Sequence, residues 1–237
     1  MRDATLLAAI LLLLTVSLAP SRGQSGTGAI EGRVTFHGAP PPPSIIGHDG
    51  SAEPVLHVGS DGGLRYAAVF LPDARPATTP VPAEARLNQR RFVFEPQVLA
   101  VRAGQTVRFT NDDPASHNVR SRNESPPNTF SITTAAGAGV PHVHRFAPTR
   151  GDRPLELSCD IHPWMAAWIY VFEHDLFAVT AAGGTFTIAD VPAGRHRLAV
   201  RQPSGPLARD LAVDVRGGQT TRLDVRFTAS DLGMPSR

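Results

Sequence analysis

Beyond its first two dozen residues the chain carries no apolar stripe at helical spacing. Short runs rich in Val, Phe and Thr stand instead between turns of Gly, Pro, Asp and Asn. With 21 glycines and 22 prolines in 237 residues, punctuation is too frequent for long helices. Strands of four to eight residues bounded by such turns are the pattern of an all-β fold. Strands are expected at Gly28–Phe36, Leu64–Leu71, Phe92–Phe94, Val98–Val101, Gln105–Thr110, His117–Arg120 and Leu155–Ser158. Trp168–Phe172 is apolar at both parities, as in a strand buried on both faces. Five more runs follow between Phe177 and Phe227. Residues 72–86, rich in Pro and Ala, read as a linker, residues 121–142 as loop, and no helix is needed after the first stretch.

That first stretch has the layout of a secretory signal. Arg2 precedes an apolar run from Ala4 to Ala19, followed by small and turn-forming residues through Gly23. The run falls short of the roughly 20 residues of a spanning helix. Cleavage near Gly23–Gln24 is therefore expected over retention as an anchor, giving a periplasmic or extracellular protein with no stable membrane span. Formal net charge is only +2, and the basic residues are all arginine, scattered without a basic run. A nucleic-acid surface is not expected.

The single cysteine, Cys159, has no intramolecular disulfide partner. Its neighbours are unusual: Cys159-Asp-Ile-His162-Pro-Trp-Met165 places a thiol, an imidazole and a thioether within seven residues. Soft sulfur ligands with imidazole select copper, and a blue-copper centre takes two His, one Cys and a weak axial Met. The missing imidazole should come from another strand end. Among nine histidines, His117 is the best placed, following a strand and the turn Asn111-Asp-Asp-Pro114. Asn118 beside it could tie down a neighbouring loop. His142 and His144 share a strand face and could also bind metal, although such alternating pairs are more often solvated. Structural zinc rarely uses Met, and a binuclear copper centre needs two cysteines. Oxidases flank the cysteine with histidines, where this chain has Ser158 and Asp160.

Phe94-Glu-Pro-Gln-Val-Leu-Ala-Val101, Ala103-Gly-Gln-Thr-Val-Arg-Phe109, Asp113-Pro-Ala-Ser-His-Asn-Val119 and the Cys159–Met165 loop resemble the cupredoxins. The likeness is strongest to plastocyanin- and amicyanin-like proteins labelled methylamine utilization protein, and covers about 90–174. It implies a Greek-key β-sandwich with His117, Cys159 and His162 as equatorial copper ligands and Met165 as axial ligand. It also makes the His162 ring edge the electron port, with Pro163 and Trp164 supplying an apolar patch; Trp164 could equally be core. Gln97 departs from a histidine found in relatives, which leaves any supporting role there in doubt.

Gly28–Phe36 with Ala67–Leu71, and Ala178–Thr180 with Gly184–Phe186 and Asp190–Gly194, resemble the parts of one carboxypeptidase regulatory-like (transthyretin-like) sandwich. The expected organisation is a signal at 1–23, a discontinuous Ig/transthyretin-like sandwich at 26–75 and 175–228, a cupredoxin domain inserted at 86–174, and a tail at 229–237. Two consecutive domains are the alternative, and pairing between residues 29–36 and 177–227 is what would separate the two.

A copper ion held by three strong ligands and one weak one leaves no position for substrate, which suits one-electron transfer between a donor and an acceptor protein. No hydrolytic apparatus is apparent: Ser116, the serine nearest a histidine, falls in the metal loop. The expectation is an electron carrier, not an enzyme. Copper storage or delivery is one alternative, and a structural, carbohydrate- or protein-binding sandwich another. Asn123-Glu-Ser125 fits a glycosylation sequon.

Overall fold

The computed structural model describes residues 26–46, 51–122, 127–137, 139–149 and 152–232. The expected signal, His48 and the Asn123 sequon lie outside these residues. Among the described residues the regular structure is strands and one short 3-10 turn at Ala229–Asp231, and no helix is long and apolar enough to cross a membrane.

In chain order the strands are β1 (Thr27–His37), β2 (Ser44–Ile46), β3 (Ser51–Glu53), β4 (Ala68–Phe70), β5 (Ala85–Arg90) and β6 (Val93–Glu95). Next come β7 (Val98–Arg102), β8 (Thr106–Asn111), β9 (His117–Arg122), β10 (Thr129–Thr134), β11 (His142–Arg145) and β12 (Leu155–Ser158). The last six are β13 (Ala166–Phe172), β14 (Phe177–Val179), β15 (Thr185–Pro192), β16 (Gly194–Gln202), β17 (Leu207–Val215) and β18 (Thr220–Thr228).

A five-stranded sheet, β10-β9-β12-β13-β7, and a four-stranded one, β11-β8-β5-β6, enclose a core of Leu87, Phe94, Val107, Phe109, Leu155, Leu157 and Ile169. This all-β, multi-sheet arrangement is consistent with the expected Greek-key sandwich. The linker reading of 72–86 stops short, because Ala85–Arg90 is a strand. It carries no alternating apolar signal, since its buried Asn88 and Gln89 are held by side-chain hydrogen bonds to Asp112, Thr110 and Thr134. Residues 121–142 likewise contain β10, so that stretch is only partly loop. The expected Leu64–Leu71 strand shrinks to β4, with Tyr66 held at φ 67° just before it.

Two further sheets, β15-β1-β18 and β14-β4-β16-β17, stand around a separate core that includes Ile30, Val34, Leu64, Val69, Ile188, Leu198 and Val225, and β2 and β3 pair as a two-stranded sheet. Here β1 pairs antiparallel with β15 and parallel with β18, so residues 27–37 lie between strands about 150 or more positions away. The approach is close at Gly32, where a Cβ would stand 1.9 Å from the Leu223 carbonyl oxygen. Gly32→Ala is therefore expected to cost about 3 kcal/mol through forced backbone displacement. A thermal melt should show a fall of roughly 6–12 °C for a chain of this size. An unchanged melting temperature would refute the close packing of β1 on β18.

The two sets of sheets meet through β13 and its neighbour β7, whose Val98 joins the same cluster. Ile169 and Val171 of β13 point into the core around Phe109, while Trp168, Tyr170 and Phe172 pack against Phe70, Tyr66 and Ala199 of the other set. The double-sided apolar pattern thus reflects two different cores. Phe70 and Phe172 lie 4.7 Å apart between ring centroids, and burying a Phe contributes about 1.5–3 kcal/mol. Two buried arginines flank this cluster. Arg201 of β16 reaches Asp152 at 2.6 Å, and Arg102 of β7 reaches Asp175 at 2.9 Å and Thr79 Oγ1 at 2.6 Å.

Candidate metal centre

One end of the five-stranded sheet carries the ligand-bearing residues. His117 opens β9, Cys159 follows β12, and Met165 immediately precedes β13, so three adjacent strands deliver their termini to one place. The loop between Cys159 and Met165 is closed by its own backbone. The Cys159 N–H donates to the Met165 carbonyl at 3.3 Å, and the Met165 N–H to the His162 carbonyl at 2.9 Å. Asn118 performs the expected tie: its amide donates to Asp160 Oδ2 at 2.9 Å and its carbonyl accepts the Asp160 N–H at 2.6 Å.

His117 Nδ1 and His162 Nδ1 face each other at 2.8 Å, and Cys159 Sγ lies 3.8 Å from His162 Nδ1. The three ligand atoms fall within 4.8 Å of one another, the sole such group among the described residues. His117, Cys159 and Met165 are 0%, 2% and 1% exposed, whereas His162 is half-buried. Burial pushes the Cys159 thiol up. This is outweighed by the His117 ring and the backbone N–H groups of Asn118, His162 and Ile161, which together hold it below its ordinary range. Burial pulls His117 down in turn, but its hydrogen bonds to Cys159 and Asp113 prevail and raise it. These contacts shift the balance toward the thiolate, the form that binds metal. One thiolate and two inward-facing imidazole nitrogens, with Met165 beside them, fit a single type 1 copper ion.

Around this cluster lies a supporting layer that the sequence did not disclose. The buried Asp113 carboxylate accepts from His117 Nε2 at 2.9 Å, from the Phe92 N–H at 2.9 Å and from the Arg91 N–H. Arg91 and Phe92 form the two-residue turn between β5 and β6, with φ of 55° and 61°. Such conformations cost non-glycine residues about 1–3 kcal/mol each and persist when their surroundings enforce them. Asp113 provides that enforcement. The result sets the Phe92 ring edge-on to both imidazole rings, 5.5 Å from His117 and 5.1 Å from His162. A weak hint was present in the sequence: an acidic residue four positions before a ligand histidine.

No protein-family model matches the chain, and no curated protein does. Several solved structures are similar over part of it. The Cu-containing nitrite reductase of Thermus scotoductus SA-01 is 23% identical, over 44% of this chain and 26% of its own, with a TM-score of 0.33. The chain thus spans about a quarter of that enzyme. A purple cupredoxin from Nitrosopumilus maritimus is 22% identical over 37% of this chain and 98% of its own, TM-score 0.31. Amicyanin from Paracoccus versutus is 16% identical over 44% and 96%, TM-score 0.32.

The other sequence candidates sit as follows. Trp164 is half-buried, its indole donating to the Phe92 carbonyl at 3.2 Å with its ring 5.3 Å from His162, so it is part core and part rim. Pro163 is exposed beside it. His142 and His144 do not join the cluster; His144 stacks on Phe130 at 4.4 Å and contacts the Pro127 carbonyl. Gln97 donates to Glu53 at 3.1 Å.

Proposed function

We propose that the chain is an exported carrier of single electrons, working through one type 1 copper site of two histidines, a cysteine and a methionine, and not a catalyst. The observation that carries this reading is the burial of His117, Cys159 and Met165 beside a half-buried His162. Bound copper supplies one-electron redox chemistry between its Cu(I) and Cu(II) states. The protein's part is to hold the donors fixed: the closed Cys159–Met165 loop, the Asn118–Asp160 tie and the Asp113–His117 hydrogen bond each restrict ligand movement. Restricted ligands favour fast exchange because little must rearrange when charge changes. Substrate has no route to the sulfur ligands, and the edge of His162 is the natural exit for an electron. Copper storage or delivery would need donors that an acceptor can reach, which the burial opposes.

In this reading His117, Cys159 and His162 are the equatorial ligands, Met165 is axial, and Pro163 and Trp164 frame the port. The partners are a donor and an acceptor protein outside the cytoplasm. The flanking sheets form a carboxypeptidase regulatory-like, transthyretin-like sandwich into which the copper unit is inserted, a reading supported by the pairing of β1 with β15 and β18. Its role is that of a scaffold. The test is a visible spectrum of the copper(II)-loaded chain, taken through reduction and reoxidation. An intense thiolate-to-copper band that bleaches and returns with copper retained is the expected result. A colourless protein that binds and releases Cu(I) would overturn the carrier reading in favour of delivery.

A further inference from the structure

The surface around His162 is apolar, and the turn that contributes Phe92 to it is basic. Ile161 is 55% exposed, Pro163 is exposed, and Trp164 and Phe92 are half-buried against the His162 ring. The β5–β6 turn that brings Phe92 there also carries Arg90 and Arg91, both exposed. Neither guanidinium has an ion-pair or hydrogen-bond partner among the described residues. Two carboxylates of the site are already engaged. Asp113 is buried beneath the turn and takes its two backbone N–H groups, and Asp160 in the metal loop is held by Asn118 and Arg120. Asp113 holds the backbone of the turn, so both arginines are carried on the hairpin tip whose Phe92 ring packs against His162.

We infer that the tip of the β5–β6 hairpin is a recognition element, and that the His162 face docks a redox protein whose own apolar patch is rimmed by carboxylates on the side meeting Arg90 and Arg91. This rests on the carrier reading given above. Charge complementarity decides the occupant: a second copy of this chain would offer the same exposed arginines, with its Asp160 already paired to Arg120, rather than the carboxylates that Arg90 and Arg91 attract. An acidic rim gains attraction from both guanidiniums without first breaking an internal ion pair. Such contacts act chiefly on the rate of encounter and weaken as salt screens them.

Small oxidants of opposite charge read the local field without the natural partner. The reduced, copper-loaded chain is mixed with ferricyanide or with tris(phenanthroline)cobalt(III). In each case one electron leaves the reduced site and the oxidant takes it up, ferricyanide becoming ferrocyanide and Co(III) becoming Co(II). For the unaltered chain, the ferricyanide rate should fall as ionic strength rises. The double variant Arg90→Gln/Arg91→Gln keeps the backbone N–H groups that Asp113 binds, so its visible band should be unchanged. Its ferricyanide rate at low salt should fall roughly 3–10-fold and lose most of its salt dependence, while the cobalt rate holds or rises. Normal exchange with both oxidants, identical in the two proteins, would overturn the docking inference and leave the carrier reading standing. Failure to exchange with either oxidant would overturn both. Self-association in sedimentation that Ile161→Ser abolishes would assign the face to a second copy instead.

Discussion

Cys159→Ser should give a protein that acquires no intense visible colour with copper(II) and binds the ion at least about 100-fold more weakly. That figure takes the upper end of losses seen when mere supporting partners of a ligand are removed. The chain has no other thiol, so no second sulfur anion can replace the one lost. A serine hydroxyl keeps its proton at neutral pH and offers neither the charge nor the soft donor that selects copper. The surroundings aggravate the loss. The backbone N–H groups of Asn118, His162 and Ile161 and the His117 ring are arranged to favour a thiolate, and the shorter hydroxyl reaches them less well. Absorption spectra and a competitive copper titration are the measurements. Met165→Leu is the companion, similar in volume and expected to retain a visible band with altered position. An undiminished band in Cys159→Ser would remove the proposed ligand set altogether.

Asp113→Ala should destabilise the copper-free protein by about 3–5 kcal/mol, from at least two buried donors left unsatisfied at roughly 1–3 kcal/mol each. The carboxylate serves three donors: the Arg91 and Phe92 N–H groups and His117 Nε2. Water can reach the exposed Arg91 side of the turn, which is why the full threefold loss is not expected. Denaturant titration monitored by tryptophan fluorescence gives the number, with Trp164 beside the turn as a local reporter. Asp113→Asn retains one oxygen acceptor and should fall between the parent and the alanine variant. In the copper-loaded protein the alanine variant should show a raised reduction potential, because the carboxylate next to the His117 ring favours the more positive metal state. A variant as stable as the parent would mean that the left-handed turn needs no external enforcement.

The metal loop was legible because Cys159, His162 and Met165 fall within seven residues, and donors so close in the chain leave a spacing that can be read directly. His117 was legible through the turn before it. Asp113, Arg91 and Phe92 were not, since their relation is made by β5 pairing beside β8, and β5 announces itself by no apolar alternation. Asn88 and Gln89 are buried polar residues whose fitness for that strand exists only once Asp112, Thr110 and Thr134 are in place. Likewise the sequence of β13 disclosed burial on both faces but not what each face would meet. Tyr170 and Phe172 cover residues that lie about a hundred positions earlier in the chain, around Tyr66 and Phe70.

That arrangement of β13 bears on how this chain can be divided. The strand leaves the metal loop directly after Met165 and ends at Phe172 beside Phe70 and Phe177, so its two faces pack into different cores. Cutting the copper unit out at its sequence boundaries would strip one face of β13 and expose Trp168, Tyr170 and Phe172 to water. Residues 86–174 are therefore not expected to behave as a transferable cassette. Exchange of either half between proteins, in the laboratory or by recombination, has to carry a matching outer surface for β13 and β7 along with it.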